Sequence, residues 1–318
     1  MMGREVLVIQ NRDIYGLNIS PLECVKWVDE SFRLKALAQL PPKMSVHPQG
    51  NDFFTSMPCC LPSSYGVFGM KVVHRILGAT PSLGSEILLY DSKSGQLQAL
   101  IDGDWITTMR TGAVAALSIQ HLQRTNTDTY SFMGLGNTAR ATALCLLSIF
   151  SDKKLKFRLL RYKTHFIERF KEVNNVSFEI VDTIDHLVSG ADVLISCITD
   201  AQNLICENNE LYRKGLLLVP IHTRGFQNCD LFFDKVYGDD TGHVSGFRYF
   251  DRFKEFDEFG NILIGKNRGR ENDEQRIVVY NIGLGLHDVV FAYKIHCLLK
   301  NTVSTSFILD KEDEKFWI

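Results

Sequence analysis

The stretch Asp128-Thr129-Tyr130-Ser131-Phe132-Met133-Gly134-Leu135-Gly136-Asn137-Thr138-Ala139-Arg140-Ala141-Thr142 decides how the chain is read. A β-type run stops at a Gly-x-Gly turn and a small-residue helix pattern follows at once. In that context Gly134 permits the turn, Gly136 lets a pyrophosphate approach the backbone, and Ala139 lets helix and strand pack closely, while Asn137 and Thr138 open a helix whose N-H groups meet the phosphates. A dinucleotide is therefore the expected cofactor. In NAD-type folds an acidic residue at the end of the next strand accepts from the ribose 2′-OH. Here that strand, Lys156 to Arg161, ends in Leu160-Arg161-Tyr162-Lys163-Thr164, and Arg161 and Lys163 can pair with a 2′-phosphate, so NADP is favoured over NAD.

Outward from this turn the pattern alternates helix and strand: helix Gly112 to Leu122, strand Asp128 to Met133, helix Asn137 to Phe150, then strands Lys156 to Arg161, Val176 to Val181, Asp192 to Cys197, Gly215 to Ile221, Lys235 to Gly238 and Ile277 to Tyr280. Parallel βαβ units in a doubly wound sheet are expected. Gly265 to Arg276 reads as a solvated loop. Before Thr111 the texture differs. A strand, Glu5 to Gln10, precedes a helix opening at Ser20-Pro21-Leu22-Glu23, a capping box, and Pro41 to Ile106 holds short β-type runs. Two of these, Glu86 to Tyr90 and Gln96 to Ile101, flank the turn Asp91 to Gly95 and predict a hairpin in a largely antiparallel sheet. The chain closes with a helix from Leu286 to Leu299.

The 318 residues exceed the usual reach of one core, and two domains are expected. At 45% hydrophobic and 23% charged the composition is that of a folded protein. With 35 basic against 37 acidic side chains, nothing marks a nucleic-acid or membrane-surface partner. The window Phe132 to Phe150 contains Asn137, Thr138 and Arg140 and reads as strand, turn and helix, so no membrane partner is expected. Eight Cys without CxxC spacing, after a charged start, read as reduced thiols of a cytoplasmic protein. No spacing suits a zinc site and no metal is expected; no G-x-S-x-G nucleophile motif occurs.

Several motifs in order then carry a family resemblance: Gly69-Met70-Lys71, Asp102-Gly103-Asp104-Trp105-Ile106-Thr107-Thr108-Met109-Arg110-Thr111-Gly112-Ala113, the turn at Gly134, Gly190-Ala191-Asp192, and Asn281-Ile282-Gly283-Leu284-Gly285-Leu286-His287-Asp288. Over nearly its whole length the chain resembles the ornithine cyclodeaminase/mu-crystallin family. The resemblance implies an α/β fold in which a Rossmann-type doubly wound sheet, residues 112–282, is inserted into an α+β substrate-binding and dimerisation domain, residues 1–111 plus 283–318. It implies a homodimeric NAD(P)-dependent oxidoreductase of an α-amino acid or its imine, by imine reduction, amino acid dehydrogenation or opine-type condensation or cleavage. Lys71 matches the lysine facing the substrate, where partial desolvation would lower its pKa for proton transfer. Arg110 matches the arginine holding substrate carboxylate or cofactor phosphate, and Lys43 falls where many members have an arginine for the carboxylate. Asn281 and Gly283 match contacts to the nicotinamide end; Thr111 and Thr199 complete the implied cofactor set.

Two departures bear on substrate. Thr55 stands where ornithine cyclodeaminases carry a glutamate, and His222-Thr223-Arg224-Gly225 replaces a loop with an aspartate, placing Arg224 or a neighbour there. Recognition of a cationic ornithine arm loses both carboxylates. The basic set Lys43, Lys71, His74, Arg110 and Arg224 fits a small anionic amino, imino or keto acid better. An ornithine cyclodeaminase-like lyase and a non-catalytic NADPH-binding protein are the alternatives. Asp230-Leu231 could match the family's downstream acidic-Leu pair. Asp288 reads as a helix N-terminal capping residue, favoured there by the dipole, and His47 and His222 as hydrogen-bonded structural histidines.

Overall fold

The computed structural model describes residues 3–199 and 201–310. By Cα proximity the chain divides into two compact units, Met1–Ser20 with Leu34–Thr107 and Leu284–Ile318, and Pro21–Arg33 with Thr108–Gly283. The capped helix Pro21–Leu34, which the sequence groups with its neighbours in the first unit, thus contributes Pro21–Arg33 to the second. Its Phe32 meets Phe259 edge to face at 5.3 Å, an apolar partner that no local pattern announces.

The first unit carries a seven-stranded sheet of β1 (Arg4–Ile9), β2 (Met44–Val46), β3 (Phe53–Cys60), β4 (Val67–Arg75), β5 (Leu83–Asp91), β6 (Leu97–Asp102) and, near the chain's end, β15 (Ser306–Leu309). Its order is β15-β1-β6-β5-β4-β3-β2, antiparallel except where β1 joins β6. The expected hairpin joins β5 to β6: Asp91 Oδ1 accepts from the N-H groups of Lys93 (3.0 Å) and Ser94 (2.7 Å), and Gly95 turns with φ 70°. Alternation gives the sheet two faces. Met57, Lys71, Ile87 and Ile101 lie side by side on the buried one, on which the helix Gly285–Leu299 packs against β3, β4 and β5. Pro58, Met70, Leu88 and Leu100 form the corresponding row on the other face and are half exposed.

The second unit holds an eight-stranded sheet: β7 (Thr129–Met133), β8 (Leu155–Leu160), β9 (Val176–Val181), β10 (Val193–Ser196), β11 (Leu217–Pro220), β12 (Lys235–Gly238), β13 (Phe256–Glu258) and β14 (Ile277–Tyr280). Every pairing in the order β13-β12-β14-β11-β10-β7-β8-β9 is parallel. Helices Asn137–Ile149, Thr164–Lys171 and Ile184–Ser189 separate its early strands, as a doubly wound fold requires. β10, β11, β12 and β14 are buried throughout, which is why they show no alternation of apolar and polar residues. Asp192 clamps the entry to β10. Arg124 and Arg213 both pair with its Oδ1, and its Oδ2 accepts from the Thr129 N-H at 3.1 Å, so Gly190-Ala191-Asp192 is a structural knot between β7 and β10.

Two segments differ from expectation. The helix expected from Gly112 begins at Asp104, because Asp102 Oδ1 accepts from the Asp104 N-H at 3.0 Å and caps a first turn whose Ile-Thr-Thr run looks like strand. Arg270 in the expected solvated loop is no surface residue. It donates to the carbonyls of Leu122 (2.6 Å), Gly215 (3.1 Å) and Gln275 (2.5 Å), and burial pushes its pKa down to about 10. Among the described residues no helix is long and apolar enough to cross a membrane.

Candidate functional site

In the second unit the strand order reverses between β7 and β10, and ligands of open parallel sheets bind off the carboxyl ends of the strands at such a point. Gly134 follows β7 with φ 79°, and a Cβ there would lie 2.8 Å from the carbonyl carbon and oxygen of Cys197, so only glycine fits. At Gly136 a Cβ would meet nothing within 4 Å. No side chain caps the helix that follows, leaving the N-H groups of its first turn at Asn137, Thr138 and Ala139 for an anion. These two observations fit a pyrophosphate. At the far end of the sheet the exposed Arg161 pairs with the exposed Asp182, and Lys163 lies over the Tyr162 ring at 5.9 Å. Thr199 is exposed just beyond β10.

On the other side of the switch point, Arg110, Asn281 and Gly283 come together. Gly283 has φ 95°, and a Cβ on it would collide with Nη1 of the buried Arg110 guanidinium. The Gly283 N-H donates to Asp239 Oδ2, while Asp239 Oδ1 accepts from His243 Nδ1 at 3.2 Å. Asn281 is buried and its Oδ1 accepts from Ser118 Oγ at 3.2 Å; its amide nitrogen has no partner among the described residues. Thr111 is half-buried in the same helix as Arg110.

In the first unit Lys71 is 0% exposed, and its ammonium lies 2.7 Å from Oδ1 of Asp288, itself 0% exposed. Lys71 Nζ also donates to Thr107 Oγ1 at 3.4 Å, and Thr107 shares a 2.9 Å hydrogen bond with Ser85 Oγ. The Asp-Gly-Asp-Trp-Ile-Thr-Thr motif is thus a helix start that sets a hydroxyl beside the lysine. Thr55 is buried on the same sheet face as Lys71 and bonds Ser45 Oγ at 2.8 Å. His74 does not join this set. Three residues along a strand from Lys71 it points to the opposite face, stacked on Phe54 at 5.5 Å. Lys43 is half-buried ahead of β2.

After β11, His222 is held at both nitrogens: Nδ1 donates to the Arg224 carbonyl at 2.6 Å and Nε2 accepts from Ser196 Oγ at 2.7 Å, and burial lowers its pKa. His47 is held as well, its Nδ1 donating to the Asp52 carbonyl at 3.0 Å. The Arg224 side chain lines a cavity.

Residues 4–302 match the sequence pattern of the ornithine cyclodeaminase/mu-crystallin family. The chain belongs to that family. It is 22% identical over 328 residues to N-((2S)-2-amino-2-carboxyethyl)-L-glutamate dehydrogenase of Staphylococcus aureus, covering 93% of this chain and 96% of the relative. Its fold is that of Thermococcus litoralis Delta(1)-pyrroline-2-carboxylate reductase in complex with NADH and L-proline (TM-score 0.83, 22% identity, 94% and 99% covered). It also matches an archaeal alanine dehydrogenase dimer with bound NAD (TM-score 0.81, 23% identity, 96% and 99% covered).

In this family member the sequence misses the partner of Lys71. A carboxylate in the first turn of a helix reads as a capping residue, yet nothing caps the helix Gly285–Leu299 by side chain, and Asp288 forms an ion pair with the lysine instead. Also missed are Asp182 beside Arg161 and the Asp239–His243 pair. Asp230, offered as the family's acidic-Leu residue, is buried and accepts from Tyr280 Oη at 2.6 Å; burial pushes its pKa up to about 7. A carboxyl whose folded pKa lies above its unfolded value binds its proton more tightly when folded. Its contribution to stability is therefore present below about pH 4 and is lost as pH rises through 7. Asp230→Asn is expected to raise the urea midpoint at pH 8 and change it little at pH 4; a gain of equal size at both would contradict a buried, proton-holding Asp230.

Proposed function

We propose that this chain interconverts an α-amino acid, or an opine-type secondary amine, and the corresponding imine, with NADP favoured as its nicotinamide cofactor. It is an NAD(P)-dependent oxidoreductase. The observation that carries this is the turn at the switch point, where Gly134 admits only glycine and the space above Gly136 meets an uncapped helix N-terminus. Gly134, Gly136, Asn137, Thr138 and Ala139 hold the pyrophosphate, and Asn281, Gly283, Thr111 and Thr199 the rest of the cofactor toward its nicotinamide end. The unpartnered buried amide nitrogen of Asn281 supports its place in that set. When bound, the nicotinamide ring supplies or accepts the hydride at the substrate α-carbon.

The chain's own residues bind the substrate and move its proton. Arg110, buried and rigid, offers a two-pronged donor to the α-carboxylate, and Lys43 adds a second cation. Lys71 exchanges the proton on the substrate nitrogen; Asp288 fixes the ammonium on one side, so its direction does not depend on solvent. The chain pairs with a second copy through the half-exposed row Pro58, Met70, Leu88 and Leu100, a reading supported by its apolar character and by the dimer formed by the archaeal alanine dehydrogenase.

Arg161 is the residue that favours NADP. Asp182 beside it makes the pair neutral in the absence of a ligand, and a 2′-phosphate would compete for the guanidinium. Titration of NADPH and NADH by nicotinamide fluorescence tests both claims. NADPH should bind more tightly, and Arg161→Ala should weaken NADPH by about tenfold, the worth of one charge-assisted hydrogen bond, without affecting NADH. Equal loss for the two cofactors would remove the NADP preference. NADPH oxidation should then follow on adding α-keto acids with amines; NADPH binding with no turnover over a broad panel would leave a binding protein.

A further inference from the structure

Beyond the ends of β10, β11 and β12 the second unit carries an open cavity of about 700 Å³, within the size range of small-molecule sites. The strand order places it on the β11 side of the switch point, away from Arg161. Its lining includes Arg224, Arg248, His243, Gln227, Asn228 and Tyr249, and among the described lining residues there is no carboxylate.

The two arginines lack the counter-charges that several others in this unit have. Arg124 and Arg213 pair with Asp192, Arg140 with Glu172, and Arg161 with Asp182, whereas among the described residues neither Arg224 nor Arg248 has an ion-pair partner. Each is nonetheless placed. The Arg248 guanidinium lies over the Tyr249 ring at 5.1 Å, with Arg252 also against that ring at 5.6 Å. Stacking orients the fork while leaving its N-H donors unused. The backbone at Arg224 is tied down by His222, and the next carbonyl, that of Gly225, accepts from the Ile205 N-H at 2.9 Å. His243 is oriented by Asp239, which also holds the Gly283 N-H, so one wall of the cavity is joined to the turn assigned to the nicotinamide end.

We propose that this cavity receives the distal arm of the substrate and that the arm ends in a carboxylate, read by Arg224 and Arg248. The chain then acts on an α-amino or α-imino acid with a second acidic group. Two cations without counter-charges on a concave, partly low-dielectric surface concentrate the field on whatever enters. A cationic arm is repelled by both. A methyl-sized arm leaves most of the cavity to water, whereas a carboxylate gains charge-assisted hydrogen bonds from two forks and neutral ones from Gln227 and Asn228. This inference rests on the oxidoreductase reading above.

The test uses the full chain loaded with NADP and calorimetric binding of L-glutamate, L-2-aminoadipate, L-glutamine and L-ornithine, probes of similar length whose arms carry a negative, neutral or positive charge. One of the two acids should bind at least about tenfold more tightly than glutamine, with ornithine weakest. Arg224→Leu with Arg248→Leu should lower that acid's affinity to the level of glutamine. Both side chains are exposed, and an unchanged melting temperature would establish that the variant is folded. The inference is overturned if neither acid is preferred to glutamine, if no acid binds the loaded protein, or if the double variant keeps the preference. Failure of the unmodified chain to bind NADP at all would instead strike the oxidoreductase reading.

Discussion

Lys71→Met is expected to abolish turnover, to leave NADPH affinity unchanged, and to lower folding stability by about 3–5 kcal/mol, the cost of stranding a buried charge. The stranded charge is Asp288, which like Lys71 has no exposed surface. Methionine fits the slot between Met57 and Ile87 on the neighbouring strands, so lost packing contributes little. Asp288→Leu should cost a similar amount, because the ammonium is then the uncompensated group. The double variant separates the two roles of the pair. Replacing both partners of a buried ion pair by apolar residues is commonly neutral or stabilising, so Lys71→Met with Asp288→Leu should recover most of the stability while remaining inactive. Urea unfolding of the four proteins, with NADPH titration on each, provides the readouts. Simple addition of the two single losses in the double variant would mean that the lysine and the carboxylate do not support one another. Turnover by the Lys71 variant would remove the lysine from the chemistry.

The same pair marks the boundary of what the sequence reveals. Strands β12 and β14 coincide with the runs Lys235 to Gly238 and Ile277 to Tyr280, because a strand covered on both faces needs no alternation and is bounded by polar turns. The turn at Gly134 is equally legible, since its requirement is local: a positive φ and a neighbour too close for a Cβ. Asp288 is different. Its place in a helix's first turn is explained as well by the dipole as by a partner, and that partner lies far away in sequence. Asp182 beside Arg161 and Arg270 beneath its loop fail to show for the same reason. His74 is another kind of miss. Strand parity alone places it on the face opposite Lys71, and the basic set assembled by charge overlooks that parity. The partner of the helix Pro21–Leu34 is unreadable because an amphipathic face specifies that it will be covered, not by what.

The two glycines of the nucleotide turn should fail in opposite ways. Gly134→Ala places a Cβ against the Cys197 carbonyl in a left-handed conformation, and the backbone strain alone is worth about 1–3 kcal/mol before the clash is counted. Its melting temperature should therefore fall, and weaker NADPH binding would follow from the displaced turn. Gly136→Val meets no protein atom: φ is −78°, which any residue adopts, and the space where its side chain would grow is open. Stability should be unaffected. If that space holds the pyrophosphate, however, the valine displaces it from the helix N-terminus. NADPH affinity should then fall roughly a hundredfold, equivalent to losing one or two charge-assisted hydrogen bonds of about 1.5–3 kcal/mol each. Calorimetric melting paired with NADPH titration reads both effects in one preparation. A Gly136→Val protein that melts normally and binds NADPH as tightly as the unmodified chain would show that the turn holds no cofactor phosphate, whereas a Gly134→Ala protein of unchanged stability would show that the approach to Cys197 is less tight than its geometry requires.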